Sequence, residues 1–483
     1  MRSLSLRHGE NALVGNIPDL DMQRFRNEIA RLLKKKARVA AFFGYPGPSN
    51  GTLRLFAVLA DEREGKLYVL TALAGESYPS FTKEYPQFHW FEREIAEIWG
   101  TKPEGHPYLK PIRSSPEFFR MEGEEVHEVA VGPVHAGIIE PGHFRFQCHG
   151  EKVFNLEISL GYQHRGVERA VLNGPPNRRV HYMETLAGDT TIGHTLAYCH
   201  MIESLATRDV PIRAQVLRGI MLELERLANH VGGLGALSND VAFLPTASYC
   251  GRLRGDVLNM TAAICGNRFG RGMVRPGGVM FDVNDELIAH LVKWVEKVYA
   301  DVEGAVELLW NTPSVMERFE GTGVLKKDQA EELGIVGVAA RASGLERDVR
   351  FDFPSGVYRV MQIPVSVCES GDVFARAYLR WLEIQRSFDF VMSDLKTMPE
   401  GPVMGEVGEL KPDSVSVSLV EGWRGEICHV AMTDKEGKIL NYKIVDPSFH
   451  NWIGLSAAMR NGEISDFPLC NKSFDLSYCG HDL

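Results

Sequence analysis

The chain has 483 residues, a formal net charge of −10 at pH 7, and 44% hydrophobic against 24% charged residues. That is the balance of an ordinary soluble globular protein, with length for two or three domains. An acidic chain with no basic block to neutralise a phosphate backbone excludes a nucleic-acid binder. The one basic cluster, Lys34 to Arg38, ends an amphipathic helix, where the helix dipole favours cations. No apolar run reaches the roughly 18 residues of a membrane span, and Met1 to Asn11 lacks the apolar core of a signal peptide. Membrane association is therefore expected to run through partners. The eight cysteines are scattered and form no CxxC, so they read as reduced thiols of the cytoplasm, with no disulfide framework.

In chain order, apolar residues at helical spacing predict a first helix over Asp21 to Lys36. Ala37 to Phe43, Leu53 to Ala60 and Lys66 to Ala74 follow as strands, the last two joined by the charged turn Asp61 to Gly65. His89 to Gly100 reads as a helix with Phe91, Ile95, Ile98 and Trp99 on one side, ended by Gly100. The proline-broken stretch Thr101 to Ile112 must run extended. A polar linker, Arg113 to Val126, separates this part from a hairpin whose arms, Phe144 to Gly150 and Val153 to Ser159, turn around Gly150 to Lys152. The loop Gly132 to His143 is too long for a tight turn and carries two histidines, as functional loops on rigid sheets do. Long helices are then predicted over Met183 to Ala206, Ile212 to Gly235, Ala247 to Phe269 and Asp285 to Trp310. The fold class is α+β, a small α+β domain over 1–115 and a large, mainly helical bundle with small flanking sheets over 125–483.

Two sets of residues carry a resemblance. Glu92, Arg93, Glu94, Gly100, Gly105, His106, Pro107 and Leu109 resemble the signature of the thirty-kilodalton subunit of respiratory NADH:quinone oxidoreductase (complex I). His164, Arg165, Gly166 and Glu168, with the long helix after them, resemble the large subunit of nickel-iron hydrogenases and its relative, the forty-nine-kilodalton subunit of the respiratory complex. Arg268 to Val279, Gly337 to Arg350 and Gly371 to Ser387 resemble further blocks of that family. A domain of the first type fused ahead of a domain of the second resembles the large subunit of formate hydrogenlyase and hydrogenase-4 complexes.

The resemblance implies a nickel-iron centre that these residues do not supply. Such a centre needs four soft thiolates in two pairs. At the first pair stand Ala187 and Thr190, and at the second Ser477 and Gly480, with Cys479 one place out of register. No nickel-iron centre is expected, and the tail is expected to be a buried strand completing the core. No CxxC-type motif holds an iron-sulfur cluster and no nucleotide fingerprint is present, so a partner is expected to carry both the cluster and any NAD(H) site. Gly233 to Ser238 contains GxG but ends a helix.

The respiratory subunit also implies a quinone site: a loop histidine, a tyrosine at the start of the long helix, and an aspartate beyond the next helix. His143 and Asp240 match the histidine and aspartate, which suit a two-electron, two-proton reduction. The tyrosine position is Gly188, with Tyr182 the nearest hydroxyl. Glu168 matches the hydrogenase proton relay; a buried carboxylate needs a partner or a raised pKa, and His164 and Arg165 lie beside it, so relay and ion pair both stay open. Arg341, Arg347 and Arg350 near Asp348 and Asp352 read as a salt-bridge network.

The function expected is a core subunit of a membrane-associated oxidoreductase complex on the cytoplasmic side of the membrane. Electrons would pass from a small iron-sulfur subunit, related to the twenty-kilodalton subunit of the respiratory complex, to a quinone or similar acceptor. Proton movement would be coupled to antiporter-like membrane subunits, with His143, Asp240 and Glu168 as site residues. Two other readings stand beside it: a structural or coupling subunit without chemistry, and a hydrogenase using other ligands, for which Cys470, Cys479 and His481 are the candidates.

Overall fold

The computed structural model describes residues 2–49, 51–113, 117–123, 125–135 and 139–483. Parts of the predicted linker and of the loop ending at His143 therefore lie outside the described residues. The chain is mixed α/β. Its first sheet is antiparallel in the order Leu4–Leu6, Lys66–Ala74, Leu53–Asp61, Arg38–Pro46, with Asp19–Leu20 parallel to Lys66–Ala74. The predicted helix spans Met22–Lys34, started by Asp21, whose carboxylate accepts from Arg24 N at 2.8 Å. The helix His89–Trp99 ends at Gly100 in the left-handed region, φ 72°.

The N-terminal segment does not stay in that sheet. Asn11–Leu13 adds to the edge of a second antiparallel sheet, in the order Ile439–Val445, Gly425–Thr433, Ser414–Gly422, Asn11–Leu13. Every residue of the two inner strands is buried. Alternation along a strand explains how: Val415, Val417 and Leu419 join one apolar core with Phe42, Phe56 and Phe91, whereas Ser416 points the other way and meets Ser204 of the Thr191–Ala206 helix, Oγ to Oγ 2.9 Å. The second sheet is thus the plate between the N-terminal core and the helical core.

The helical core packs Ile212–Asp240 against Leu244–Cys265 and Val373–Lys396, with Asp285–Trp310 closing the group. Asn284 and Asp372 cap two of these helices by accepting from Leu287 N and Ala375 N, both at 2.8 Å. The Asp285–Trp310 helix has the predicted limits. The helix predicted to end at Gly235 runs on to Asp240, and the one predicted over Ala247 to Phe269 spans Leu244–Cys265, stopped by Gly266 at φ 74°.

Beneath the sheet lies a buried ion network. Arg341 pairs with Glu383 (2.6 Å) and Glu421 (2.8 Å), and Arg350 with Asp348 (2.6 Å) and Glu223 (3.2 Å). Arg226 joins through Glu223 (3.0 Å) and His230 through Glu383 (2.8 Å). Arg341 and Arg350 are therefore structural, as the sequence suggests; Arg347 stands outside, 4.0 Å from Glu62. Removing one member would leave a buried charge uncompensated.

Candidate functional site

The helix predicted over Met183 to Ala206 is two helices. Arg179–Met183 stops, residues 184–190 leave the helical path with Asp189 at φ 55°, and a new helix runs from Thr191 to Ala206. The break is held by partners distant in sequence. Glu225 accepts from Ile192 N (2.6 Å) and Gly193 N (3.1 Å), satisfying donors the new helix end leaves free. Arg254 pairs with Asp189 at 2.6 Å. Arg165 donates to Thr185 O (2.9 Å) and Leu186 O (2.7 Å).

The two segments that would bear the thiolates are joined by Arg424. It occupies, with Trp423, the two-residue turn between Ser414–Gly422 and Gly425–Thr433. Its guanidinium stacks on Trp423, 3.8 Å from the ring centroid. It donates to Gly188 O (3.1 Å) and Thr190 Oγ1 (3.1 Å) on one side, and to Asp475 O (2.6 Å) on the other. Thr190 Oγ1 also accepts from Trp423 Nε1 at 3.0 Å.

The tail is a short buried helix, Tyr478–His481, and not the strand predicted. Ser477 supplies the reason: its hydroxyl accepts from Gly480 N at 2.9 Å, an N-cap that turns the chain. A Cβ on Gly480 would lie 2.6 Å from Asp446 Cγ, and Asp446 is fixed by His194 Nε2 at 2.9 Å. Asp482 accepts from Gly161 N (2.8 Å) and Gln163 N (2.9 Å), so the tail is plugged into the loop that precedes His164.

A cleft of about 320 Å³ remains between these segments, lined among others by Glu140, Gln163, Arg165, Gly188, Arg271 and Cys479. The residues present do not fit a nickel-iron centre. Burial and Glu140 push the Cys479 thiol up to about 11, which keeps it protonated, whereas a metal takes the thiolate. Cys470 is buried against Arg376 (4.0 Å) and His481 pairs with Asp482 (2.8 Å). Among the described residues no three His, Cys, Asp or Glu side chains converge as a metal-holding group. Chemically the cleft offers a polar molecule the guanidinium groups of Arg165 and Arg271 and the Gln163 amide. The three carboxylates in its wall are already engaged, Glu140 by Tyr478 N (3.0 Å), Glu184 by Arg275 and Asp189 by Arg254.

The predicted site residues lie around this cleft and do not line it. His143 begins the strand His143–His149; its Nδ1 is 3.2 Å from Gly132 O, its ring packs on Phe118, and its Nε2 is buried with no partner among the described residues. Its neighbour Gly142 packs on the Tyr478 ring. Asp240 ends its helix on the other side of the tail. Although its side chain is open to solvent by area, surrounding protein desolvates it enough to push its pKa up to about 6, Lys472 opposing and Asp475 adding to the rise. Glu168 opens the helix Val167–Asn173. Its partner is Lys443, at 3.0 Å, with Ile444 N donating at 2.9 Å; Arg165 turns to the carbonyls of the 184–190 break, and His164 is bonded to Asp482 O at 3.1 Å. Burial raises the Glu168 pKa, Lys443 opposing it. Tyr182 belongs to the Arg179–Met183 helix, does not line the cleft, and has its hydroxyl close to Gly174.

Sequence reasoning missed Arg424, Glu140 and Lys443. Only Arg424 left a signal: a tryptophan and an arginine between two glycines, in a two-residue hairpin turn where small polar residues are the rule.

The model of the "Respiratory-chain NADH dehydrogenase, 30 Kd subunit" family matches residues 25–124, and that of the "Respiratory-chain NADH dehydrogenase, 49 Kd subunit" family matches residues 240–415. Hydrogenase-4 component G of Escherichia coli is 28% identical over 89% of this chain and 80% of its own length. Carbon monoxide-induced hydrogenase of Rhodospirillum rubrum is 30% identical over 72% of this chain and 97% of its own. An NADH-quinone oxidoreductase subunit of Solibacter usitatus is 28% identical over 72% and 94%. The chain belongs to the family shared by the 49 Kd subunit of respiratory-chain NADH dehydrogenase and the large subunits of hydrogenase-4 type complexes, with a 30 Kd subunit segment fused ahead of it.

Proposed function

We propose that this chain is the core subunit of a membrane-associated, respiratory-type oxidoreductase complex that delivers electrons to a quinone or similar polar acceptor, with no nickel-iron centre. A small iron-sulfur subunit would cover the open side of the cleft and supply the electrons; antiporter-like membrane subunits would couple the reaction to proton movement. Residues 1–115 and 125–483 would be the two fused domains, the smaller respiratory subunit type first and the larger second. No helix of the described residues is long and apolar enough to cross a membrane, so membrane attachment is assigned to the partners, on the cytoplasmic side.

The observation that carries this reading is the cleft itself. Beside Ala187 a cavity of about 320 Å³ stays open to the surface at Gly188, lined by Arg165, Arg271 and Gln163. Arginine and amide N–H groups suit the carbonyl oxygens of a head group whose reduction builds negative charge. His143 and Asp240 flank the tail that floors the cleft, with an unpartnered ring nitrogen and a carboxyl near 6 as proton sources. Glu168 would pass protons from the Lys443 pair.

Quinone reduction by the intact complex carrying His143→Ala or Asp240→Asn tests the assignment. Loss of turnover with the complex still assembled is expected. Full turnover in both variants, together with insensitivity to quinone-site inhibitors, would instead give the chain a structural and coupling role only.

A further inference from the structure

A second cavity, of about 240 Å³, lies away from the cleft, between the turn carrying His8, the end of the Thr191–Ala206 helix, and the turn at Arg359. Its floor is made by two histidines. His8 is 6% exposed and faces the Leu419 backbone carbonyl; among the described residues His200 has Nδ1 buried and unpartnered. The rings meet edge-on, 5.8 Å between centroids. A neutral imidazole carries one donor and one acceptor, and a buried ring nitrogen left empty at a cavity is costly unless a ligand or water meets it.

The mouth is cationic. Arg208 and Arg359 are exposed and line it, and among the described residues neither has a carboxylate partner; Arg359 reaches only the carbonyls of Pro354 (3.3 Å) and His8 (3.4 Å). Arg218 in the wall is already neutralised by Glu203, at 2.6 Å, and that carboxylate also accepts from Gly277 N at 2.8 Å. Asp209 is the one acidic residue at the cavity left to oppose two free guanidinium groups. The field is strong enough to act on the floor. Burial first and Arg359 second hold the His8 pKa down to about 4, with only the Leu419 backbone opposing, and His8, Arg218 and Arg359 add to the lowering that burial causes at His200.

We propose that this cavity binds a phosphate-type oxyanion, free or carried by a small phosphorylated molecule. Arg208 and Arg359 would take the oxygens as charge-assisted, fork-shaped donors, and neutral His200 would donate one N–H from below. The volume leaves room beside the phosphate for a short organic group. The inference is independent of the acceptor reading of the cleft, with which it shares no residue.

Isothermal titration of the purified full-length protein with inorganic phosphate and with glycerol 3-phosphate tests it. One saturable site per chain is expected, weakened about ten-fold or more in the Arg208→Gln/Arg359→Gln double variant. Arg208→Gln alone, at an exposed position, serves if the double variant does not fold. Tighter binding of glycerol 3-phosphate assigns the site to a phosphorylated molecule, and equal binding to free phosphate. Absence of saturable binding of either anion to the unaltered protein, or binding unchanged by the arginine variants, overturns the proposal.

Discussion

Glu94 and Glu168 share one cation. Lys443 Nζ lies 2.7 Å from the first and 3.0 Å from the second, so a residue of the smaller respiratory subunit's signature and the glutamate of the hydrogenase-type HRGxE run are held by the same ammonium. Arg113 completes the group at 2.9 Å from Glu94. The cations hold the Glu94 pKa below its ordinary value, while burial raises that of Glu168.

Replacing Lys443 by Met should leave two buried carboxylates facing each other. The expected cost is roughly 3–5 kcal/mol, read as a fall in the midpoint of thermal or urea unfolding. Adding Glu168→Gln to Lys443→Met should recover part of the loss, because the pair is coupled. An unchanged midpoint in the single variant would show that Lys443 does not neutralise this site.

The tail offers a test of the packing around Gly480. With a Cβ on Gly480 lying 2.6 Å from Asp446 Cγ, Gly480→Ala should destabilise by about 1–3 kcal/mol, as overpacking does. The penalty should shrink in an Asp446→Ala background. Equal penalties in both backgrounds would place the strain elsewhere.

Much of this architecture was legible before the fold was known. The helix Asp285–Trp310 carries its own cap at Asn284, and the strands from Arg38 to Ala74 carry apolar runs bounded by charged turns, so local chemistry sufficed. At the site, Ala187, Thr190, Ser477 and Gly480 could be named, but not the distant contacts that hold them. The break at residues 184–190 contains no proline and one glycine, and it is set by Glu225, Arg254 and Arg424, which come from other helices and a distant hairpin turn. Glu168 misled for the same reason. Its neighbours in sequence, His164 and Arg165, are bonded elsewhere, and Lys443 comes from a strand near the end of the chain.

Asp394 gives a pH dependence of definite sign. It is 2% exposed, has no ion pair among the described residues, leaves Oδ2 without a partner, and burial with Glu223 nearby pushes its pKa from 3.8 to about 7. A carboxyl whose folded pKa is raised holds its proton more tightly when folded, so its contribution is fully present below pH 3.8 and is lost progressively as pH rises to about 7. At about 1.36 kcal/mol per unit the loss is at most roughly 4 kcal/mol. Asp394→Asn should therefore be more stable than the parent at pH 8, and the gain should fade towards pH 4. A gain that does not vary with pH would contradict the assignment.

By its resemblance to the respiratory subunit, the chain has Gly188 at the matched tyrosine position, and a Cβ there meets nothing within 4 Å. Gly188→Tyr should leave the unfolding stability within about 0.5 kcal/mol of the parent. If the acceptor sits in the cleft, the added hydroxyl should lower its KM about five-fold, one net hydrogen bond being worth about 1 kcal/mol. A KM unmoved by so large a side chain would place the acceptor outside the cleft.

The central claim is that the cleft lined by Ala187, Gly188 and Cys479 serves an acceptor and not a nickel-iron centre. Elemental analysis of the intact complex, purified without oxygen and assayed in parallel for hydrogen uptake and quinone reduction, tests it most directly. Iron at cluster levels without nickel, no hydrogen uptake, and quinone reduction is the predicted result. Nickel near one atom per chain together with hydrogen uptake would contradict it.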